Sequence, residues 1–273
     1  MEPLSVALHA VRLAQPAPGE RVVVFGAGPI GLCALAVIKG EMEAAAAVVD
    51  ISPRRLEVAR RLGADLVVDA RREDVVEAIA AWTGRGAYGS GARADVALEW
   101  AGAPVTFRQA LNVVRHGGRV VQVAMQEEPL TVSPAVLVSK ELRLLGSIGS
   151  SGDDFAGAIR LLRSGRVSLD PAVTHRIPLE SVPAAFAEQA GSPEAIKIIV
   201  HPSGALTGTA PPTRAGTRCG GGGGLSHTSK LPVCRRSVSR PPGRWGNRPA
   251  GLDVGSRRGV VAGDVSIQVP VTE

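Results

Sequence analysis

Gly26, Gly28, Gly31 and Asp50 are the residues of this chain whose types and spacing could do chemistry. The glycines stand in VVVFGAGPIG, a G-x-G-x-x-G turn that follows an apolar run and opens a helical pattern. Gly26 permits a sharp exit from a strand. Gly28 presents bare backbone to a phosphate, and Gly31 lets the following helix pack closely on a sheet. The helix start offers free N–H groups and a positive dipole end, both of which favour an anion. Asp50 lies 19 positions after Gly31, at the end of the next apolar run. A carboxylate there accepts hydrogen bonds from ribose hydroxyls and repels a 2′-phosphate. The pattern points to a dinucleotide, and to NAD before NADP. Arg54 and Arg55 pull the other way, because an arginine can pair with a 2′-phosphate. A different task for Asp50 would be to cap the helix that begins at Pro53.

Such a site needs a strand, a turn, a helix and a second strand in that order. The chain supplies them at 21–25, 26–31, 30–39 and 46–50. The alternation continues with a helix at 53–62, where Pro53 suits the first turn. Strands are expected at 65–68, 94–99, 118–124 and 142–148, and helices at 73–82, 104–114, 133–139 and 153–164. A helix at 3–14 precedes all of this. An extended piece at 172–178, a helix at 179–190 and a strand at 195–200 follow it. Repeated β-α alternation with short apolar strands implies an α/β fold with a doubly wound parallel sheet of the Rossmann type. The ligand crevice of such a sheet lies at the carboxyl ends of its strands, where strand order reverses. Gly26–Gly31, Glu99–Pro104, Val123–Gln126 and Gly146–Ser150 would line it.

The net charge of +6 suggests nucleic acid until it is located. From His201 onward ten basic residues face three acidic ones, whereas the residues before hold 21 basic and 22 acidic. The folded body is therefore neutral, and a nucleic-acid-binding surface on it is not expected. Residues 203–273 carry the basicity with a five-glycine run and Pro/Arg/Gly/Ser stretches, and only a weak strand-like patch near 259–269. That composition reads as a disordered tail. Cys33, Cys219 and Cys234 form no CxxC pair, which fits a reducing compartment, and Cys33 reads as a small core residue. No apolar run is long enough for a membrane span and no signal peptide is recognisable, so the cytoplasm is expected.

Further stretches make a family recognisable. EPLSVALHAVRLA, GERVVVFGAGPIGL, DISPRRLEVARRLGAD, DVALEWAGAP, GGRVVQVAM, KELRLLGSIG, THRIPLESVPAAF and IKIIV occur in that order between Glu2 and Pro202. Together they resemble the medium-chain, zinc-dependent alcohol and polyol dehydrogenases, in the butanediol, sorbitol and threonine dehydrogenase branch. The resemblance implies hydride transfer between a secondary alcohol and NAD, with a catalytic zinc polarising the substrate oxygen. It implies cofactor contacts from Gly26, Gly28, Pro29, Ile30, Gly31, Asp50, Arg55, Val123, Ala124, Met125, Ser147, Ile148 and Gly149. It places Glu2 beside or on the zinc, whereas the residues alone suggest only an acid at a helix N-terminus. It also implies a homodimer built by pairing edge strands at 143–149.

The family's GroES-like catalytic domain, with its zinc-binding cysteine and Gly-His-Glu motif, has no counterpart in these residues. His9, His116, His175, His201 and His227 show no metal-ligand spacing with a cysteine or carboxylate, and His175 reads as structural. Gly149-Ser150 stands where polyol dehydrogenases often carry Arg-Tyr, which weakens a sorbitol-like assignment. The organisation expected is a linking helix at 1–19, an NAD-binding domain at 20–170, a return segment at 171–202 and the tail at 203–273. A catalytic zinc needs about three protein ligands, so most are missing and the polypeptide alone is expected to bind NAD(H) with negligible dehydrogenase activity. Two rival readings stand beside this one: a free-standing NAD-binding module without catalysis, and nucleic-acid binding through the tail.

Overall fold

Apolar strands that bury both faces need helices on both sides, and the chain folds that way. The structure is a computed structural model that describes residues 1–85, 92–126, 129–192 and 195–202. The tail expected at 203–273, with its strand-like patch near 259–269, lies outside the described residues.

The main elements run α1 (Glu2–Ala14), β1 (Arg21–Phe25), α2 (Pro29–Val37), β2 (Ala45–Asp50), α3 (Pro53–Arg61), β3 (Leu66–Asp69), α4 (Val75–Thr83) and β4 (Ala94–Glu99). They continue with α5 (Pro104–Val113), β5 (Val114–Gln122), α6 (Pro134–Lys140), β6 (Arg143–Gly146) and α7 (Gly152–Arg163). Then come β7 (Val173–Pro178), α8 (Val182–Gly191) and β8 (Lys197–His201). Among the described residues six strands form one parallel sheet in the order β3-β2-β1-β4-β5-β6, and β7 and β8 form a separate parallel pair. The order reverses between β1 and β4, as in a doubly wound dinucleotide-type sheet.

Side chains alternate across this sheet. Val22, Val24, Val48 and Leu98 join Leu4, Leu8, Leu35 and Leu161 in the core on one face. Val23, Phe25, Val49 and Ala97 join Ile79, Phe107 and Leu111 on the other. Helix α1 packs on α2 and α7, with Leu4, Leu8 and Val11 at 1% exposure or less. Helices α2 and α7 thus cover the buried face of α1. Helix α8 has no buried residue, and its Phe186 is 74% exposed. Among the described residues no helix is long and apolar enough to cross a membrane.

Several boundaries differ from the sequence reading for visible reasons. Helix α2 passes at Ile38–Met42 into a π turn that ends with Glu43 in the left-handed region. Strand β5 begins at Val114 rather than 118. The glycine pair at 117–118 resembles a turn, but Gly117 takes a φ of +68° and the strand continues through a register shift against β4. Strand β6 stops at Gly146, although the Ser147 N–H still donates to the Gln122 carbonyl at 2.9 Å.

Two buried charges pin the layers. The Lys140 ammonium donates to the carbonyls of Leu111, Asn112 and Val114 at 3.0, 2.8 and 3.0 Å, satisfying the end of α5 in place of a capping glycine. Burial pushes its pKa down. Asp154, 5% exposed, accepts from His9 Nδ1 at 2.8 Å, Arg12 Nη1 at 2.9 Å and the Ser151 amide at 3.0 Å. The Ser151 hydroxyl donates to it as well, at 2.6 Å. The cluster bolts α1 to α7.

Burial alone would raise the Asp154 pKa, but these donors, Ser151 foremost, hold it well below the usual carboxylate range. A folded-state pKa below the ordinary 3.8 contributes stability that is present above pH 3.8 and is lost as pH falls further. Asp154→Asn should lower unfolding stability by about 2 kcal/mol at neutral pH. Urea denaturation at pH 7 and pH 3 checks this: the gap between variant and native protein should narrow at the lower pH.

Candidate functional site

The glycine turn leads from the carboxyl end of β1 into α2 and is hydrogen-bonded to the carboxyl end of β2. Gly26 leaves β1 with a φ of +95°, a conformation that a side chain would strain. Its N–H donates to the Val49 carbonyl at 2.8 Å. A Cβ on Gly31 would fall 1.9 Å from the Gly26 carbonyl oxygen, so no larger residue fits there. Gly28 forms the N-cap of α2 in extended conformation, with Pro29 at the first helical position. A Cβ on Gly28 would meet nothing within 4 Å, which leaves this stretch of backbone open to approach. Ile30 is partly buried and packs against the core.

Asp50 is 7% exposed at the end of β2. Its Oδ2 accepts the Ala27 N–H at 2.6 Å and its Oδ1 accepts the Ser52 N–H at 2.8 Å. The carboxylate thus ties the glycine turn to the start of α3 and keeps unused lone pairs. The helix cap is Ser52, whose hydroxyl accepts the Arg55 N–H at 3.4 Å, so that task does not fall to Asp50. The Arg55 guanidinium stands 4.0 Å from Asp50 Oδ2, and its buried Nε has no hydrogen-bond partner.

The carboxyl ends of β4, β5 and β6 form the other half of the crevice. The N–H groups of Val123 and Ala124 both donate to the Glu99 carbonyl, at 3.0 and 3.1 Å. Pairing of Gln122 with Gly146 brings the segment after β5 beside the segment after β6. Ser147 is 8% exposed and its buried hydroxyl has no partner. Met125 and Ile148 are 85% and 82% exposed, two large apolar side chains at neighbouring strand ends. Gly149 takes a φ of +61° and faces open space. The Ser150 and Ser5 hydroxyls lie 3.0 Å apart, fastening this loop to α1. Sequence spacing found the glycine turn, Asp50 and both of these segments. It missed Glu99 as a hub, because that role depends on partners from other elements.

Metal-binding groups are not gathered in the same way. Among the described residues no three His, Cys, Asp or Glu side chains are placed to hold a metal ion. Glu2 is exposed in the first turn of α1. Cys33 is buried inside α2, where burial pushes its thiol up to about 12, far from an available thiolate. His9 is engaged by Asp154, and His175 Nδ1 lies 3.0 Å from the Thr174 hydroxyl. These residues do not fit a tightly held zinc. A cleft of about 510 Å³ opens beside Met1, Leu4, Pro29, Cys33, Leu169 and Ile199, reaching the glycine turn at Pro29.

Residues 29–164 match the family model described as zinc-binding dehydrogenase. D-xylulose reductase A of Aspergillus oryzae is 35% identical over 188 residues, which are 69% of this chain and 52% of that protein. The crystal structure of 2R,3R-butanediol dehydrogenase from Bacillus subtilis superposes with a TM-score of 0.67 at 35% identity, covering 74% of this chain and 56% of that one. A zinc-binding dehydrogenase from Sinorhizobium meliloti 1021 bound to NADP gives a TM-score of 0.65 at 29% identity, covering 74% and 58%. The chain spans about half the length of the curated relatives it matches. Strand order, glycine turn and sequence similarity agree, and the chain belongs to the zinc-binding dehydrogenase family.

Proposed function

We propose that this chain binds NAD(H) in the crevice at the carboxyl ends of its main sheet, as the cofactor-binding portion of an alcohol or polyol dehydrogenase. The observation that carries the reading is the Asp50 carboxylate hydrogen-bonded to the Ala27 amide of the glycine turn, which sets the ribose acceptor and the phosphate loop in one rigid unit. Gly26, Gly28, Pro29, Ile30 and Gly31 would receive the pyrophosphate, and Asp50 the adenosine ribose hydroxyls. Val123, Ala124, Met125, Ser147, Ile148 and Gly149 would flank the nicotinamide half, with the exposed Met125 and Ile148 offering it apolar surface. Held by these residues, a nicotinamide cofactor would supply hydride transfer, with a secondary alcohol as the partner in the family's reaction.

Asp50 favours NAD over NADP by repulsion of a 2′-phosphate. Arg55 at 4.0 Å tempers that preference, and the Sinorhizobium meliloti relative is one that was solved bound to NADP. Calorimetric titration with NADH should give saturable binding, and Asp50→Ala should weaken it about tenfold or more while narrowing the gap to NADPH. An unchanged NADH affinity in that variant would contradict the assignment.

Glu2 is the one described residue that the family reading sets beside a zinc, and among the described residues it belongs to no group of three His, Cys, Asp or Glu side chains placed to hold a metal. We infer that the 273-residue chain by itself, acting in the cytoplasm, has negligible dehydrogenase activity. Purified protein supplied with NAD, Zn²⁺ and a panel of secondary alcohols should produce no NADH above background. Zinc-dependent NADH formation would overturn this.

Among the described residues strand β6 pairs with β5 alone and presents its other edge, with Leu144 at 42% exposure. An open apolar edge is a pairing surface. We infer that a second copy extends the sheet there, across 143–149. Sedimentation at micromolar concentration should show a dimer, and Leu144→Lys should shift it to monomer.

A further inference from the structure

Glu99 is a fully buried carboxylate at the end of β4, next to the point where strand order reverses. Its Oε1 accepts the N–H groups of Ala101 and Gly102, both at 3.0 Å, and the Thr106 hydroxyl at 2.7 Å. Its Oε2 accepts Gln122 Nε2 at 2.9 Å. These donors are all neutral. Burying a carboxylate is costly, and a residue that does so in this position holds its surroundings through strong acceptor oxygens.

The groups it holds belong to both sides of the crevice. Ala101 lies against the glycine turn: a Cβ on Gly26 would stand 3.1 Å from the Ala101 nitrogen. On the other side, Gln122 Nε2 donates at once to Glu99 Oε2 and, at 2.7 Å, to the Ala124 carbonyl. The Ala124 N–H already donates to the Glu99 main-chain carbonyl. The peptide units around Ala124 are therefore fixed from both directions, and the side-chain arm of that grip runs from Glu99 through Gln122.

We infer that Glu99 is a positioning residue: acting through Gln122, it sets the orientation of the 123–125 backbone and so the affinity for the nicotinamide half of the cofactor. This rests on the proposed NAD(H) reading of the crevice. In Glu99→Gln an amide NH₂ faces the Gln122 NH₂. Gln122 must turn away, releasing the Ala124 carbonyl, while one oxygen remains for Ala101, Gly102 and Thr106. Gln122→Met breaks the same arm one residue further on and leaves Glu99 in place.

The test compares NADH with ADP-ribose, which shares the adenosine, pyrophosphate and second ribose but lacks the nicotinamide ring. Calorimetry on the full chain should show NADH weakened about tenfold in both variants, with ADP-ribose changed by less than about twofold. A merely structural role would weaken both ligands in parallel, and that result would overturn the inference. So would unchanged NADH binding in a folded variant, or equal native affinities for the two ligands. If Glu99→Gln fails to fold, Gln122→Met decides alone. Native protein that binds neither ligand defeats the NAD(H) reading itself, an outcome distinct from any of these.

Discussion

Helix α2 starts so close to the end of β1 that a single methyl group at position 31 would collide with the carbonyl of residue 26. The rest of the site depends on that proximity. It forces the positive φ at Gly26 and turns the first amides of α2 toward the carboxyl end of the sheet. It also brings Ala27 within 2.6 Å of Asp50 on the neighbouring strand. A looser turn would separate the start of α2 from the Asp50 carboxylate.

A second constraint runs through the polar groups that the layers bury. Lys140, Asp154 and Glu99 are each at 5% exposure or less, and each directs its charge or its acceptors to the end of an element. Lys140 closes the carbonyl end of α5, Asp154 joins the start of α7 to α1, and Glu99 gathers the loops after β4 and β5. Apolar side chains build the two cores, but these groups decide where the loops sit. Removing one partner from such an arrangement leaves a buried group unsatisfied, which is costly.

The sequence exposes one class of feature and hides another. Glycine spacing, the apolar runs of β1, β2 and β4 and the aspartate closing β2 are local patterns that parallel sheets impose on any chain, so the fold and half the site were legible. Strand β5 was placed late because the glycine pair at 117–118 reads as a turn, and only pairing with β4 carries the strand through it. The π turn at Ile38–Met42 carries no local signature. Glu99 sits in an apolar run like an ordinary edge acid, and its partners Thr106 and Gln122 are 7 and 23 residues away. Helix α1 is joined through Arg12 and Asp154 to α7, about 140 residues later. Roles that depend on contacts across such separations have no period to read.

The central claim is that one continuous crevice, from the glycine turn to the loop after β6, takes a single dinucleotide. Hydrogen exchange of the backbone amides with and without saturating NADH tests it most directly. Slowed exchange at both 26–32 and 122–126, with 147–150 following and β7 to β8 unchanged, is the predicted result. Protection confined to the cleft beside Met1, Cys33 and Ile199, with the glycine turn unaffected, would contradict the account.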